Sequence, residues 1–313
     1  MPSIKSIKQR IRSVKNTAQI TKAMEVVSAT KMRRSQEFAL KARPYAAASL
    51  ELLQNLLSRT PEELMPPLLK TRPVQHSMLN IVTSDKGLAG AFNANVIKKA
   101  EAWIETKRAT GASYSLVTVG KKAKEHFERR KIVPLKSFWK FGDYTTLEQT
   151  APVAEIVLAG FLDRRWDEVW AAYANFRTTL LQEPVIKKIL PATREGLEEA
   201  VRGILPERGR FATQGSSKFQ VPSSSYNYEY KFEPSPAEIL EELVPQLIRM
   251  QIHHIILESN ASEHSARMVA MKNASDNAEE LTHDLTLEFN KARQAGITQE
   301  LAEITAGREA LKG

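Results

Sequence analysis

Two glycine-bearing stretches come nearest, by residue type and spacing, to binding a ligand. TSDKGLAGAF follows an apolar run and precedes a helical pattern, so Gly87 and Gly90 would let backbone amides approach a phosphate. This stretch matches neither G-x-G-x-x-G nor G-x-x-x-x-G-K followed by Ser or Thr, the phosphate-binding glycine patterns. TVGKKAK sets Gly120 beside Lys121 but lacks the upstream glycine of a phosphate loop. Both stretches therefore favour tight turns over phosphate sites.

The histidines and acidic residues suggest no metal site and no catalytic group. His253 and His254 are adjacent, so on a helix their side chains diverge by about 100°, and His264 and His283 lie further along the chain. No grouping of Ser, His and an acid suggests a nucleophile. The chain has no cysteine, which excludes disulfides, thiolate nucleophiles and cysteine metal sites. We expect no catalytic site, no metal and no cofactor.

Composition and charge limit the classes of protein further. The 313 residues, 42% of them hydrophobic, can bury the core of one or two domains. No apolar run approaches the roughly 20 residues that span a bilayer, and the N-terminus lacks the apolar core of a signal peptide. We therefore expect neither membrane insertion nor secretion. Residues 1–45 carry eleven Lys or Arg against two Glu, which accounts for the whole net charge of +9. Such a local positive charge implies an acidic partner: nucleic acid, anionic lipid or an acidic protein surface.

A long helix is predicted at the N-terminus. Its first apolar residues step by three and four positions, the spacing of a narrow coiled-coil seam; they are Ile4, Ile7, Ile11, Val14 and Ala18. A similar register resumes at Phe38, Ala42, Tyr45, Leu52 and Leu56. The apolar residues between these stretches are small or flexible and hold no strict heptad, so the packing there is expected to be thin. Pro44 is expected to kink or end the helix.

The C-terminal run from Gln246 to Lys312 contains no proline and repeats this spacing. Its stripe consists of Ile248, Ile252, Ile255, Ser259, Ser262, Ala266, Val269 and Asn273, and apolar spacing returns at Leu281, Leu285, Phe289, Ala292, Ile297, Leu301, Ile304 and Leu311. A helix from Gln246 to Ala310 is roughly 100 Å long, too long to be buried in its own globule. We predict that the two terminal helices form an antiparallel coiled coil with a thin seam and a long exposed surface.

The central part of the chain alternates between strand and helix patterns. Predicted strands are SMLNIVTS, YSLVTVG, EVWAAYANF and PVIKKILP, and predicted helices are NANVIKKAEAWIETKRA, KKAKEHFERR and APVAEIVLAGFLDRR. The predicted class is α/β, with a small Rossmann-like domain around a mainly parallel sheet. The predicted division is an N-terminal coiled-coil helix at 1–60, the α/β domain at 74–206, a Ser-, Gly- and Pro-rich loop or mobile segment at 207–236, and a C-terminal coiled-coil helix at 237–313.

Two kinds of function fit a basic coiled coil without a catalytic site: nucleic-acid binding, or a mechanical role inside a protein assembly. Nucleic-acid binders commonly add stacking aromatic residues or a groove-reading motif to their charge. Here Phe38 is the first aromatic residue, followed by Tyr45. The basic residues at 8, 10, 12 and 15 lie around the helix instead of along one face, which favours a rod surrounded by its partner. Nucleic-acid binding stays as the alternative.

Several stretches make the sequence resemble the gamma subunits of F-type ATP synthases. They are IRSVKNTAQITKAMEVVSATKMRRSQ with RPY, then SDKGLAG, then ASEHSARMVAMKNASDNAEEL and FNKARQAGITQELAEITAG, in the order of that family over essentially the whole chain. The resemblance implies a coiled-coil shaft inside a ring of alternating alpha and beta subunits. It also implies that the α/β domain forms a foot near the epsilon subunit and the membrane ring of c subunits. The implied role is non-catalytic: rotation driven by protons changes the conformation of the beta catalytic sites, without cofactor or nucleic acid.

The resemblance also implies particular contact residues and a location. By match to the family's motifs, the rotor contacts are Arg10, Met24 and Arg34 on the first helix, and Arg267, Arg293, Gln294, Thr298 and Glu300 on the last. The basic first helix would then face acidic beta-subunit surfaces. Met1 stands directly before this helix with no transit peptide. We therefore expect a bacterial subunit, peripheral on the cytoplasmic face of the plasma membrane, with the matrix side of the mitochondrial inner membrane as the alternative.

Overall fold

A computed structural model of the chain describes residues 3–41, 43–142, 145–193, 195–197 and 232–310. The chain divides into two compact units. Met1–Ala29 with Arg267–Gly313 is called the helical unit below, and Thr30–Ala266 the sheet unit. Most of the predicted loop at 207–236 lies outside the described residues, as do Leu311 and Lys312, and the four predicted domain limits stay predictions.

Two long helices lie at the ends of the described chain. Helix α1 covers Ile4–Lys41, and the last helix, α6, covers Pro236–Ala310. Helix α2 covers Arg43–Arg59, so Pro44 is its second residue. Residue 42 lies outside the described residues, and the expected effect of Pro44 on the first helix stays a prediction. Two short 3-10 helices follow, at Glu62–Leu64 and Pro67–Leu69.

Within the described residues, the sheet unit contains five strands with three helices between them. In chain order they are β1 His76–Val82, α3 Phe92–Ala109, β2 Ser113–Val119, α4 Lys121–Arg129, β3 Lys136–Phe138, α5 Leu147–Leu162, β4 Glu168–Phe176 and β5 Gln182–Leu190. The strand order across the sheet is β3-β2-β1-β4-β5. All neighbouring strands are parallel except β4 and β5, which form an antiparallel pair. The predicted α/β class with a mainly parallel sheet is confirmed, and the three-residue strand β3 was not predicted.

Helices cover both faces of the sheet, which explains why β1 reads as an apolar run and is buried at six of its seven positions. On one face α3 and α4 pack against the strands, through Phe92, Val96, Ala100, Ile104 and Phe127. On the other face lie α5, α2 and the first part of α6, through Val153, Val157, Phe161, Leu53, Leu56, Leu240, Val244, Ile248 and Ile252. Helix α5 begins with a capping box in which Thr146 and Gln149 satisfy each other's backbone amides.

Candidate interaction surface

The glycine turn after β1 is closed by its own hydrogen bonds. The amide of Ser84 donates to Oδ1 of Asn93 at 3.0 Å, and the hydroxyl of Ser84 donates to the carbonyl of Lys86 at 2.6 Å. Leu88 and Gly90 adopt positive φ angles of 62° and 55°. The stretch is a tight turn, as the sequence predicts.

The same turn occupies the N-terminus of α4. The amide of Lys121 donates to Oδ1 of Asp85 at 3.0 Å, and the amide of Ala123 donates to the hydroxyl oxygen of Thr83 at 3.0 Å. The second carboxylate oxygen of Asp85 accepts a hydrogen bond from the amide of Lys140 at 2.7 Å. A helix N-terminus with available amides binds anions. Here the carboxylate of Asp85 takes the position that a phosphate would need.

We expect Asp85→Ala to destabilise the sheet unit, because it removes the acceptor of two backbone amides. Both bonds lie near solvent, so water replaces them in part and the expected loss is about 1–2 kcal/mol of unfolding free energy. Urea unfolding of the full chain, followed by circular dichroism, measures it. The control is Asp163→Ala, which removes an exposed carboxylate 3.4 Å from Arg165 and should cost less than about 0.5 kcal/mol. Equal losses in the two variants would contradict this structural role of Asp85.

The crevice between the carboxyl ends of β1 and β4 is where open α/β sheets usually bind ligands, because the strand order reverses there. In this chain α6 lies across the carboxyl end of β4. The hydroxyl of Ser262 donates to the carbonyl of Ala174 at 3.0 Å, and the amide of Phe176 donates to Oε1 of Glu258 at 3.3 Å. The β1 side is covered by the Asp85 turn. Both sides of the crevice are therefore occupied by the chain itself.

In the helical unit, α1 and α6 run antiparallel. The hydroxyl of Ser275 donates to the carbonyl of Ala18 at 3.4 Å. Gly296 lies against Ile4, whose Cδ1 is 3.7 Å from the position that a Cβ on Gly296 would take. Because Ala18 follows Ile4 while Ser275 precedes Gly296, the two helices point in opposite directions, as predicted.

The seam between these helices is continuous but contains few large apolar side chains. Its buried or partly buried positions on α1 are Ile7, Ile11, Val14, Ala18, Thr21 and Ser28, and on α6 they are Met271, Ser275, Ala278, Thr282, Leu285, Phe289 and Ala292. The seam continues past Ala18 because Thr21, three residues further on, and Ser28, seven residues after Thr21, are buried at seam positions. The predicted thin packing is confirmed, whereas Ile4 and Leu281 are 40% and 43% exposed and lie at the margin of the seam.

The last part of α6 does not continue the seam. Ile297, Leu301 and Ile304 are 50%, 60% and 68% exposed, so the apolar spacing that returns at these residues does not extend the packing against α1. The cause is the register: Gly296 already lies against Ile4, the first residue of α1. On this part of α6 a shallow surface is formed by Thr298, Leu301, Ala302, Thr305 and Ala306.

The two helices of the helical unit differ in the charges that they expose. On α1 the exposed charges are Lys5, Lys8, Arg10, Arg12, Lys15 and Lys22, and on α6 they include Asp276, Glu279, Glu280, Asp284 and Glu288. Lys22 Nζ forms an ion pair with Oε2 of Glu25 at 3.0 Å. This pairing, with smaller contributions from Asp276 and Glu279, raises the pKa of Lys22. The surface of the helical unit is therefore predominantly basic on one helix and largely acidic along part of the other.

The eight residues assigned as rotor contacts lie in different environments. Arg10, Arg293, Gln294, Thr298 and Glu300 are exposed in the helical unit, and Met24 is partly buried there. The hydroxyl of Thr298 donates to the carbonyl of Gln294 at 2.9 Å. Arg267 is 7% exposed, and Arg34 is exposed but belongs to the sheet unit. Their roles as contacts stay predictions.

The histidines of α6 have separate surroundings. His253 Nδ1 is 3.1 Å from the hydroxyl oxygen of Thr150, and His264 is buried. Within the described ranges, no three His, Asp or Glu side chains come together in a way that would hold a metal ion. Across the same ranges, every helix is too short or too polar to traverse a lipid bilayer.

Comparison with known sequences gives one consistent result. The profile of the family described as "ATP synthase" matches residues 3–311. The ATP synthase gamma chain of Chloroflexus aurantiacus is 41% identical over 313 residues, which cover 99% of each chain. The gamma chain of Geotalea daltonii is 42% identical over the full length of both chains. The gamma chain of Gloeothece citriformis is 38% identical, with 99% of this chain and all of the relative covered.

Solved structures share the fold at lower identity. The rotor of the Euglena gracilis mitochondrial ATP synthase matches with a TM-score of 0.59 and 17% identity, over 94% of this chain and 98% of the other. The central stalk of the Tetrahymena thermophila mitochondrial ATP synthase matches with a TM-score of 0.56 and 21% identity, over 82% of this chain and 99% of the other. These relatives and structures lend no support to nucleic-acid binding as the alternative function.

Proposed function

Because the chain belongs to the family of ATP synthase gamma chains, we propose that it is the central rotor shaft of a proton-translocating F-type ATP synthase. The observation that carries the proposal is the match of the whole chain to gamma chains at about 41% identity. The antiparallel helix pair, with a thin seam and a charged exterior, supports it physically. Such a pair presents most of its circumference to surrounding subunits.

The proposed partners follow from this role. Alpha and beta subunits surround the helix pair, and the sheet unit contacts the epsilon subunit and the ring of c subunits. On the helix pair, Arg10, Met24, Arg267, Arg293, Gln294, Thr298 and Glu300 contact the surrounding subunits, and Arg34 adds a contact further along α1. The exposed lysines and arginines of α1 support an acidic partner surface on the beta subunits.

The mechanism rests on the unequal sides of the helix pair. A sleeve of three alpha and three beta subunits has approximate threefold symmetry, whereas a pair of helices that differ in sequence and charge has none. At any angle, each of the three catalytic sites therefore meets a different surface and is biased toward a different conformation and nucleotide affinity. This is a population shift caused by differential contact. Rotation changes which catalytic site is biased toward which conformation. ATP hydrolysis at these sites drives the same cycle in reverse.

The proposed subunit takes no catalytic part. The shaft acts only through contact, and Asp85 occupies the phosphate position at the start of α4. The thin apolar surface of the helix pair suits rotation. An extensive apolar interface that formed at one angle would hold the rotor at that angle. We place the chain peripherally at the cytoplasmic face of a bacterial plasma membrane.

Affinity purification of the tagged full chain from its source cells tests the proposal. We expect alpha, beta and epsilon subunits to be recovered in fixed ratio, with ATPase activity in the recovered complex. A matched variant truncated before Gln294 removes part of the proposed shaft and should recover less alpha and beta subunit. Recovery of the chain with nucleic acid and without these subunits would overturn the proposal.

Met24→Lys is expected to impair coupling while the complex still assembles. The change places a cation beside the thin seam at the proposed contact with beta. A charge-assisted hydrogen bond to a beta carboxylate is worth about 1.5–3 kcal/mol, and it would have to break at each rotation step. ATP hydrolysis should persist while proton pumping per ATP falls, measured side by side on reconstituted complexes.

Two control variants separate charge from position in this experiment. Met24→Leu keeps an apolar side chain and should retain wild-type coupling. Gln19→Lys adds the same charge at an exposed position on α1 and should have a smaller effect. A second change at Arg267, Gln294 or Thr298 should relieve the Met24→Lys defect. Equal pumping per ATP in Met24→Lys and wild type would mean that Met24 serves only in seam packing.

A further inference from the structure

In the sheet unit, α6 crosses the hairpin of β4 and β5 through a group of polar contacts. The hydroxyl of Ser262 donates to the carbonyl of Ala174 at 3.0 Å, and the hydroxyl of Ser265 donates to the carbonyl of Thr179 at 2.7 Å. Both serines are fully buried. These bonds join uncharged groups and do not change with pH near neutrality.

Glu258 is an ionisable member of the same group. It precedes Ser262 by one helical turn and so lies on the same side of α6. Its Oε1 accepts a hydrogen bond from the amide of Phe176, the last residue of β4, at 3.3 Å. Its side chain is partly buried. A carboxyl group is therefore placed where the helix meets the end of the strand.

The charged groups around Glu258 compensate for this burial only in part. Arg177 and Lys187 of the hairpin face it, and Arg177 is also paired with Glu183 at 3.0 Å. On α6 itself, His254 lies one turn before Glu258. The effect of burial, which raises the pKa of Glu258, is larger than the lowering effects of the Phe176 amide, Arg177 and Lys187. The pKa of Glu258 is therefore raised to about 7.

We propose that this crossing is a proton-controlled clasp, in which protonated Glu258 holds the β4–β5 hairpin on α6 and ionised Glu258 releases it. A carboxylate withdrawn from water is stabilised when the hairpin moves away and lets water reach it. The folded-state pKa lies above the ordinary value, so the stabilising effect of protonation is present in acid and is lost as the pH rises through about 7. This inference concerns the sheet unit alone and does not depend on the rotor function.

Amide hydrogen exchange on the full chain tests the clasp. Exchange of the Phe176 amide, which donates to Glu258, is measured at pH 6 and pH 8, and each rate is divided by the rate of an unstructured peptide at the same pH. With a pKa near 7 in the closed form and an ordinary pKa in the open form, protection should fall about tenfold between these pH values. In Glu258→Gln, protection should be the same at both.

Two further variants give the controls. Glu155→Gln removes an exposed carboxylate of α5 that pairs with Arg249 of α6 at 2.8 Å, and it should keep the wild-type fall in protection. Ser262→Ala should weaken protection by the same factor at both pH values, because the bond that it removes is uncharged. The clasp is refuted if wild-type protection does not change between pH 6 and pH 8, or if Glu258→Gln retains the fall.

Discussion

Gly120→Ala is expected to destabilise the sheet unit strongly, although it adds only one methyl group. Gly120 has φ +98°, a conformation that side chains rarely adopt, and a Cβ there would lie 2.1 Å from the carbonyl oxygen of Thr83. Backbone strain of about 1–3 kcal/mol is therefore added to a clash that only a movement of β1 or α4 can relieve. We expect a total loss of about 4 kcal/mol of unfolding free energy, measured by urea unfolding of the full chain.

Gly111→Ala isolates the conformational part of that loss. Gly111 has φ +69°, and nothing lies within 4 Å of its added Cβ, so its replacement should cost about 1–2 kcal/mol. The difference between the two variants measures the clash with Thr83. Similar losses in Gly111→Ala and Gly120→Ala would show that β1 and the start of α4 adjust freely, contrary to the packing described.

Gly160→Ala is the second large effect. A Cβ on Gly160 would lie 1.9 Å from Cζ2 of Trp166, a side chain that is 2% exposed and donates through Nε1 to the carbonyl of Val157 at 3.1 Å. Overpacking of this kind lowers the unfolding free energy by about 3 kcal/mol or more. The higher helix propensity of alanine offsets about 1 kcal/mol of that loss. We expect a net loss of at least about 2 kcal/mol in the same unfolding measurement.

A double-mutant cycle with Trp166→Leu identifies the cause of this loss. The smaller side chain removes the ring atoms in the path of the Cβ, so Gly160→Ala should cost little in the Trp166→Leu background. The coupling energy should exceed about 1 kcal/mol, as for residues in direct contact. Additive losses would mean that the indole is not what excludes a side chain from position 160.

The sequence predicts most elements of the sheet unit because their patterns are local. Predicted and observed limits of β1, α3 and β2 agree within two residues. Strand β3 was missed because Lys136–Phe138 is too short to show alternation. The clashes that make Gly120 and Gly160 indispensable could not be predicted, since they depend on how closely Thr83 and Trp166 approach in three dimensions.

The seam of the helical unit shows a different limit of sequence analysis. A heptad pattern of apolar residues cannot be recognised after Ala18, although Thr21 and Ser28 are buried at later seam positions. Small polar residues can fill a narrow seam because their hydroxyls bond within the helix, as Thr21 does to the carbonyl of Thr17 at 3.0 Å. The exposure of Ile304 could not be predicted either, because the point on α6 opposite which α1 begins is set by the register of the two helices.

Two residues that sequence analysis passed over carry much of the chemistry of the sheet unit. Asp85 belongs to the glycine turn, and its position after a strand and before a helix pattern was a usable signal. Glu258 lies in a helical run of ordinary composition, and nothing in its neighbours along the chain indicates that the end of β4 covers it. Burial of a carboxyl by a distant strand is a property of the folded chain alone.

The Asp85 carboxylate can be regarded as a ligand that is always bound. A group tethered to its own site acts at an effective concentration of millimolar or more, and Asp85 is further fixed by its bond to the amide of Lys140. A free phosphate competing for the start of α4 would have to displace it while facing its negative charge. Fluctuations in cellular phosphate and nucleotide would therefore leave this edge of the sheet unchanged, so that the sheet unit keeps one shape while metabolite levels vary.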